Sequence, residues 1–264
     1  MLNRPALSNL GIRAYGLAAI AQGLVGLVWG DFATEWWPIQ ALPFELPHRR
    51  ALAYVLAVCL LLGGVAIQWW RTAQAGVVAL AILYFISALL WLPRVIGFPQ
   101  IFGTWGGFLQ EFSLVVAGLV ASALLARQDS ASTVRTAEIG RRLYGICVVS
   151  YGLDHFFGLS ATASMVPDWI PPGQEFWVVA TGVAFLLSGL AILTGVLAVL
   201  ASRLLTVMLA VIGALVWGPT LFNAPHIHLA WAGNAVNLAF IAAAWVVADW
   251  LASRQRQVQK DKVT

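Results

Sequence analysis

Charged residues make up only 10% of this 264-residue chain, whereas 61% of its residues are hydrophobic and its mean hydropathy is +0.84. A soluble domain carries roughly 25% charged residues, so this chain cannot cover a water-facing surface. The composition excludes the soluble classes and predicts an integral membrane protein. The net charge of +4 is small, and the basic residues lie between apolar runs and at the ends. We therefore expect a lipid bilayer around the chain and no nucleic-acid partner.

Cysteine is almost absent, and no familiar catalytic motif occurs. Cys59 and Cys147 both lie in apolar runs and have no partner at metal-ligand spacing, so we expect no disulfide framework. The chain has no P-loop, GxSxG, HExxH, CxxCH or dinucleotide-binding fingerprint. The motifs alone therefore leave open whether the protein is an enzyme.

Long apolar runs make up most of the sequence. A spanning helix needs about 20 mostly apolar residues. Eight segments qualify: 11–30, 51–70, 75–93, 105–126, 140–158, 175–199, 203–222 and 229–252. The sequence therefore predicts an all-α polytopic transmembrane bundle of eight helices.

The chain repeats itself internally. The stretches 88–107 and 214–233 share two tryptophans and two prolines at a constant offset of 126 residues. Other matches are 13–16 with 142–145 and 62–67 with 187–192. Four spans per repeat predict two units inserted the same way and related by an axis along the membrane normal. The predicted divisions are 1–126 as a first, degenerate repeat, 127–139 as a cytoplasmic linker, 140–252 as a second repeat and 253–264 as a basic tail.

The distribution of Lys and Arg predicts the orientation. Twelve of these residues fall on the side of the termini and three on the other side. By the positive-inside rule both termini are cytoplasmic, and we expect a multi-pass protein of a bacterial-type inner (plasma) membrane. The longer connections, rich in Pro and Trp, then share the outer face, where a site is expected.

Polar residues inside spans are costly and mark candidate sites. The outer part of the second repeat carries Asp154, His155, Asn223, His226, His228, Asn234 and Asn237, and we expect them to converge on one ligand pocket. His155, His226 and His228 form a possible metal-ligand set. The alternatives are a position at the headgroup boundary for Asp154 and His155, backbone bonding for the histidines and helix–helix contacts for the asparagines. Glu111 is a candidate in the first repeat, with a structural bond to Gln22 as its alternative.

The second half resembles the DoxX-like family of small four-helix membrane proteins, here in a tandem, internally duplicated form. The resemblance is carried by Tyr144-Gly145, the stretch 151–156, the Pro-rich turn 165–172 and the Gly-rich stretch 181–192. It implies a link to thiosulfate:quinone oxidation or to redox-linked assembly, and it makes His155 the polar residue of the first helix. Members often carry an acid between the glycines, where this chain has Phe185.

The leading functional hypothesis is a membrane component of a quinone-linked redox system, with an outer-leaflet pocket that binds a quinone headgroup, a small anion or a metal. In that hypothesis Asp154 orients His155. The second hypothesis is a binding or transport protein for a lipid or small solute, with Glu111 in proton coupling. The third is a non-enzymatic scaffold that docks a periplasmic or membrane partner subunit through its Trp-rich loops.

Overall fold

A computed structural model describes residues 10–32, 48–126 and 130–261. These residues form an all-helical bundle, which confirms the predicted fold class. In chain order the helices are α1 (Leu10–Trp29), α2 (Arg49–Gln68), α3 (Ala73–Gly97), α4 (Phe102–Leu125), α5 (Ala131–Phe157), α6 (Leu159–Ala163), α7 (Gln174–Thr194), α8 (Ala198–Ile212), α9 (Thr220–Asn223) and α10 (His228–Asp261). A π-helical segment, Gly213–Trp217, follows α8 directly.

Seven helical segments within the described residues are long and apolar enough to span a membrane. The eighth predicted span lies in α5, which contains Arg141, Arg142 and Asp154 and is less apolar. Because α5 packs between α4 and α7, it belongs to the same bundle. The protein is therefore a multi-pass membrane protein. α5 begins at Ala131, inside the predicted linker, and α10 continues to Asp261, through most of the predicted tail.

The helices form a closed ring rather than two separate units. α1 packs on α2, α2 on α3 and α3 on α4, and the same pattern runs from α5 through α7 and α8 to α10. The ring closes where each first helix packs on the fourth helix of the other half, α1 on α10 and α5 on α4, while α4 and α10 touch across the middle. The two halves therefore share their interior walls.

Equivalent residues make equivalent close contacts in the two halves. A Cβ atom on Gly16 of α1 would lie 2.8 Å from the Gly64 oxygen of α2, and one on Gly145 of α5 would lie 2.9 Å from the Gly189 oxygen of α7. Both separations are too short for a side chain, and small residues of this kind let membrane helices approach closely. The Trp105 indole also donates to the Pro99 oxygen, as Trp231 does to the Pro225 oxygen, at 3.1 and 2.9 Å. The offsets of 129, 125 and 126 seen in the sequence therefore correspond to matching contacts.

The bundle core is made of small and aliphatic side chains, with a few buried tyrosines. Tyr15 and Tyr144, which occupy equivalent places in α1 and α5, are both almost fully buried. We call the end of the bundle where α5 finishes and α7 begins the long-loop end. It is the end that the charge distribution predicts to face outward.

Candidate functional site

A large cavity lies in the second half of the ring, between α4, α5, α7, α8 and α10. Its volume is about 910 Å³. Most of the wall is apolar or aromatic, including Trp177, Phe185, Met208, Trp217 and Phe240. The polar side chains on the wall are few, so the cavity suits a molecule that is mostly apolar and carries a small polar group.

Side-chain size explains why this space exists in the second half. Gly158 and Ala161 line the cavity. At the equivalent offset of 129 the first half has Trp29 and Phe32. Phe32 is 4% exposed and belongs to an apolar cluster near the same end of the bundle, against which Trp29 packs. The aromatic rings of the first half therefore fill space that the small residues of the second half leave open.

Four of the predicted site residues line the cavity: Glu111, Asp154, His155 and Asn237. Glu111 belongs to the first half, but α4 packs on both α5 and α10 and so forms a wall of this cavity. The cavity therefore uses residues of both halves, because the ring closes between them.

His155 is oriented by its own helix. Its Nδ1 lies 2.7 Å from the Tyr151 carbonyl oxygen. A carbonyl oxygen can only accept, so Nδ1 carries a proton and Nε2 remains as the second hydrogen-bonding atom of the ring. The imidazole also packs against Phe185, with ring centroids 5.1 Å apart. The expectation that Asp154 orients His155 was wrong, since adjacent residues on a helix point in different directions.

Asp154 instead faces α4. A Cβ atom on Gly106 would clash with the Asp154 carboxyl group, so the absence of a side chain at Gly106 makes room for it. Asp154 also lines a second cavity of about 570 Å³ at the long-loop end, together with Gln100 and Trp105. Its carboxyl group therefore stands where the two cavities adjoin.

Glu111 lies deeper in the bundle and is only 3% exposed. The Tyr15 hydroxyl group on α1 donates to the Leu114 oxygen on α4, 2.9 Å away. The Tyr151 hydroxyl donates to the Ser113 oxygen on α4. A small buried polar region therefore connects the cavity wall to the centre of the bundle.

The two asparagines of α10 bond backbone atoms near the π-helical segment. The Asn234 amide nitrogen lies 2.8 Å from the Trp217 oxygen and 2.7 Å from the Ala230 oxygen. The Asn237 amide nitrogen lies 3.4 Å from the Leu209 oxygen. The Trp217 oxygen also accepts a hydrogen bond from the Thr220 hydroxyl group, so side chains satisfy this carbonyl at the end of the π-helical segment. This geometry agrees with the helix–helix alternative, although Asn237 also lines the cavity.

The remaining predicted site residues lie elsewhere. Asn223 and His226 are exposed and do not line the cavity, and His228 stacks on Trp29 of α1 with centroids 5.3 Å apart. His155 is therefore not grouped with His226 and His228. Within residues 10–32, 48–126 and 130–261, no three or more His, Cys, Asp or Glu side chains are arranged to hold a metal ion.

Several cavity residues were not identified as candidates from the sequence. Tyr151, Thr181 and Gln110 place polar groups on the wall, and Trp177 and Trp217 provide aromatic surface. Tyr151 lies one turn before His155, and that spacing would have placed both on one helix face. Gln110 could not be found this way, because its contribution depends on the packing of α4 against the second half.

The fold and this cavity define a polytopic membrane protein with an internal, largely apolar binding space. Residues 137–218 match the DoxX family model, which confirms the resemblance seen in the sequence. The match runs from α5 to just past the π-helical segment and covers less than half of the chain, so the likeness to the family is shown for this part of the bundle. Comparisons with curated proteins and with solved structures found no significant match.

Proposed function

We propose that this protein is the membrane component of a quinone-linked redox system and that its cavity binds the quinone. The supporting observation is the cavity itself, about 910 Å³ of mainly apolar space inside the bundle with a few polar groups on its wall. Ligand pockets measure roughly 300–1,000 Å³. A quinone dissolves in the membrane and has an apolar body with oxygen atoms on its ring, so it fits a space of this size and lining.

Different residues of the chain would contact the oxygens and the ring faces of the quinone. The neutral His155 imidazole would accept at Nε2 a hydrogen bond from a hydroxyl group of the reduced quinol, and the protonated imidazole would donate one to a carbonyl oxygen of the quinone. Phe185 and Trp177 would pack on the faces of the ring, where aromatic pairs contribute about 0.5–1.5 kcal/mol beyond the area that they bury. A bound quinone supplies reversible two-electron, two-proton chemistry. Asp154 and Glu111 are the carboxyl groups that line the cavity within the described residues.

Purified protein in lipid nanodiscs tests the proposal. Solvent extraction followed by mass spectrometry should find copurified quinone. Titration with a short-chain quinone should quench tryptophan fluorescence to saturation, because Trp177 and Trp217 line the cavity. His155→Ala should weaken binding of the reduced, hydroxyl-bearing quinol about tenfold, the equivalent of one lost hydrogen bond of roughly 1.4 kcal/mol.

His226→Ala is the matched control, since this exposed histidine does not line the cavity. It should bind quinone like the unaltered protein. Absence of both copurified quinone and saturable quenching would contradict the proposal. Equal losses in the two histidine variants would show that His155 has no special part in binding.

A second candidate function is binding or transport of a lipid or small apolar solute, with proton coupling through Glu111. The observation in its favour is a 3%-exposed carboxyl group on the wall of a membrane cavity. Glu111→Gln should then abolish pH-dependent uptake into proteoliposomes while the protein still folds. Uptake that stays pH-dependent in this variant would contradict the coupling role.

A further inference from the structure

The second cavity, which we call the vestibule, lies at the long-loop end beside the connection between α3 and α4. Its wall includes Gln100 and Ile101 of that connection, both exposed, and Trp105 in the first turn of α4. The bond from the Trp105 indole to the Pro99 oxygen holds the connection over the start of α4. The vestibule therefore adjoins the exposed connection between α3 and α4, whereas the main cavity extends further into the bundle, as far as the buried Glu111 and Asn237.

The two cavities have three wall residues in common: Gly103, Asp154 and Gly158. Two of the three are glycines, so Asp154 is the one shared residue with a side chain that can bond or ionise. Its carboxyl group occupies the space left free by Gly106.

The first half lacks this arrangement. The residues at the equivalent offsets of 129 and 126 are Val25 for Asp154 and Ala232 for Gly106. Val25 is buried in the same apolar cluster as Phe32. A carboxyl group between two spaces is thus a feature of the half that has the large cavity.

We propose that Asp154 is a proton-exchange site between vestibule water and the polar groups of the main cavity. A proton from a group in the cavity binds the carboxylate, passes to water in the vestibule and leaves the carboxylate ready for another. The reverse path brings a proton inward. This role requires only water and the residues present, so it stands apart from the identity of the cavity ligand.

Other titratable groups line the main cavity and must be separated from Asp154 in any test. Within the described residues, α5 contributes Tyr151 and His155, and α4 contributes Glu111. The wall residues of α7, α8 and α10 include no titratable side chain. Glu111 is therefore the carboxyl group against which Asp154 is compared.

Cysteine labelling tests whether water reaches the junction. In a background without Cys59 and Cys147, we would apply a charged, membrane-impermeant methanethiosulfonate to the long-loop side. Gln100→Cys and Asp154→Cys should react at least tenfold faster than Leu204→Cys, a control on the outer, lipid-facing surface of α8 that is 58% exposed. An unreactive Gln100→Cys, or an Asp154→Cys as slow as the control, would overturn the proposal.

Infrared spectroscopy tests proton exchange without relying on the cysteine variants. Membrane films titrated with pH should show a protonated carboxyl band above the carboxylate region that shifts rapidly when H₂O is replaced by D₂O. Because the chain has 11 Asp and Glu residues, each variant is compared with the unaltered protein by a difference spectrum. Asp154→Asn should lose one rapidly exchanging component of this band, whereas Glu111→Gln should keep that component. A difference spectrum of Asp154→Asn that shows no lost component would overturn the assignment. Neither measurement uses quinone, so failure here and failure of quinone binding are distinguishable.

Discussion

The contact between α5 and α7 gives the sharpest prediction about the fold. A Cβ atom on Gly189 would lie 2.7 Å from the Val149 nitrogen and 2.9 Å from the Gly145 oxygen, whereas ordinary contact begins at 3.4 Å. Gly189→Ala therefore forces the two backbones apart by roughly 0.7 Å. Because both neighbours are main-chain atoms of helices, neither can rotate away. Overpacking of this kind costs about 1–3 kcal/mol.

The matched control is Gly97→Ala in α3, where an added Cβ atom would meet nothing within 4 Å. Alanine there gains up to about 1 kcal/mol of helix propensity. The two variants should thus differ by about 1–4 kcal/mol in the free energy of unfolding, or on the order of 2 °C or more in Tm, in a thermal unfolding assay in detergent. Equal unfolding temperatures for Gly189→Ala and Gly97→Ala would refute the close backbone contact.

Three further predictions concern the side of the bundle that carries the chain termini. Arg141 is 5% exposed and donates to the Ile192 and Leu193 oxygens at the end of α7, so Arg141→Ala should lower the free energy of unfolding by about 1–3 kcal/mol. The control is Arg142→Ala at an exposed neighbouring position, which should change the free energy of unfolding by less than about 1 kcal/mol. Equal effects of the two substitutions would contradict the role of Arg141 in capping α7. Hydrogen bonding from Arg141 lowers the pKa of Glu138, which precedes the apolar part of α5. The stabilising contribution of the Glu138 carboxylate is therefore present above the unfolded-state pKa of about 4.3 and is lost as pH falls through the lower folded-state pKa. Thermal stability should fall less on acidification in Glu138→Gln than in the unaltered protein. An identical dependence of Tm on pH in the two proteins would count against the ion pair. A reporter enzyme fused to the C-terminus should report a cytoplasmic location, and a periplasmic signal would reverse the predicted orientation.

The residues that recur along the sequence correspond to part of the helix packing. Glycines and tryptophans recur at fixed offsets because backbone contacts between neighbouring helices depend on residue size alone. The pairs Gly16–Gly64 and Gly145–Gly189 follow from those offsets once α1 and α5 are placed in equivalent positions. Each pair joins two long helices that follow one another along the chain, with only the short α6 between α5 and α7.

The shape of the site was less predictable, because it depends on contacts between the halves. Glu111 reaches the second-half cavity through the packing of α4 on α5, and no local pattern encodes that closure. His228 stacks on Trp29 of α1 and does not line the cavity, because α10 packs against α1 of the other half. Asn234 bonds the Trp217 oxygen because of the π-helical segment, an irregularity that hydrophobic periodicity does not indicate.

Photolabelling with a quinone analogue tests the central claim most directly. The analogue would carry a photoreactive group on its ring, and labelled peptides would be mapped by mass spectrometry in protein reconstituted in lipid. Our account predicts labels on α5 and α7 around His155, Thr181 and Phe185, which all line the cavity, and competition by unlabelled quinone. Labels confined to α1, α2 and the outer surface of the bundle, or labels that excess quinone does not displace, would contradict it.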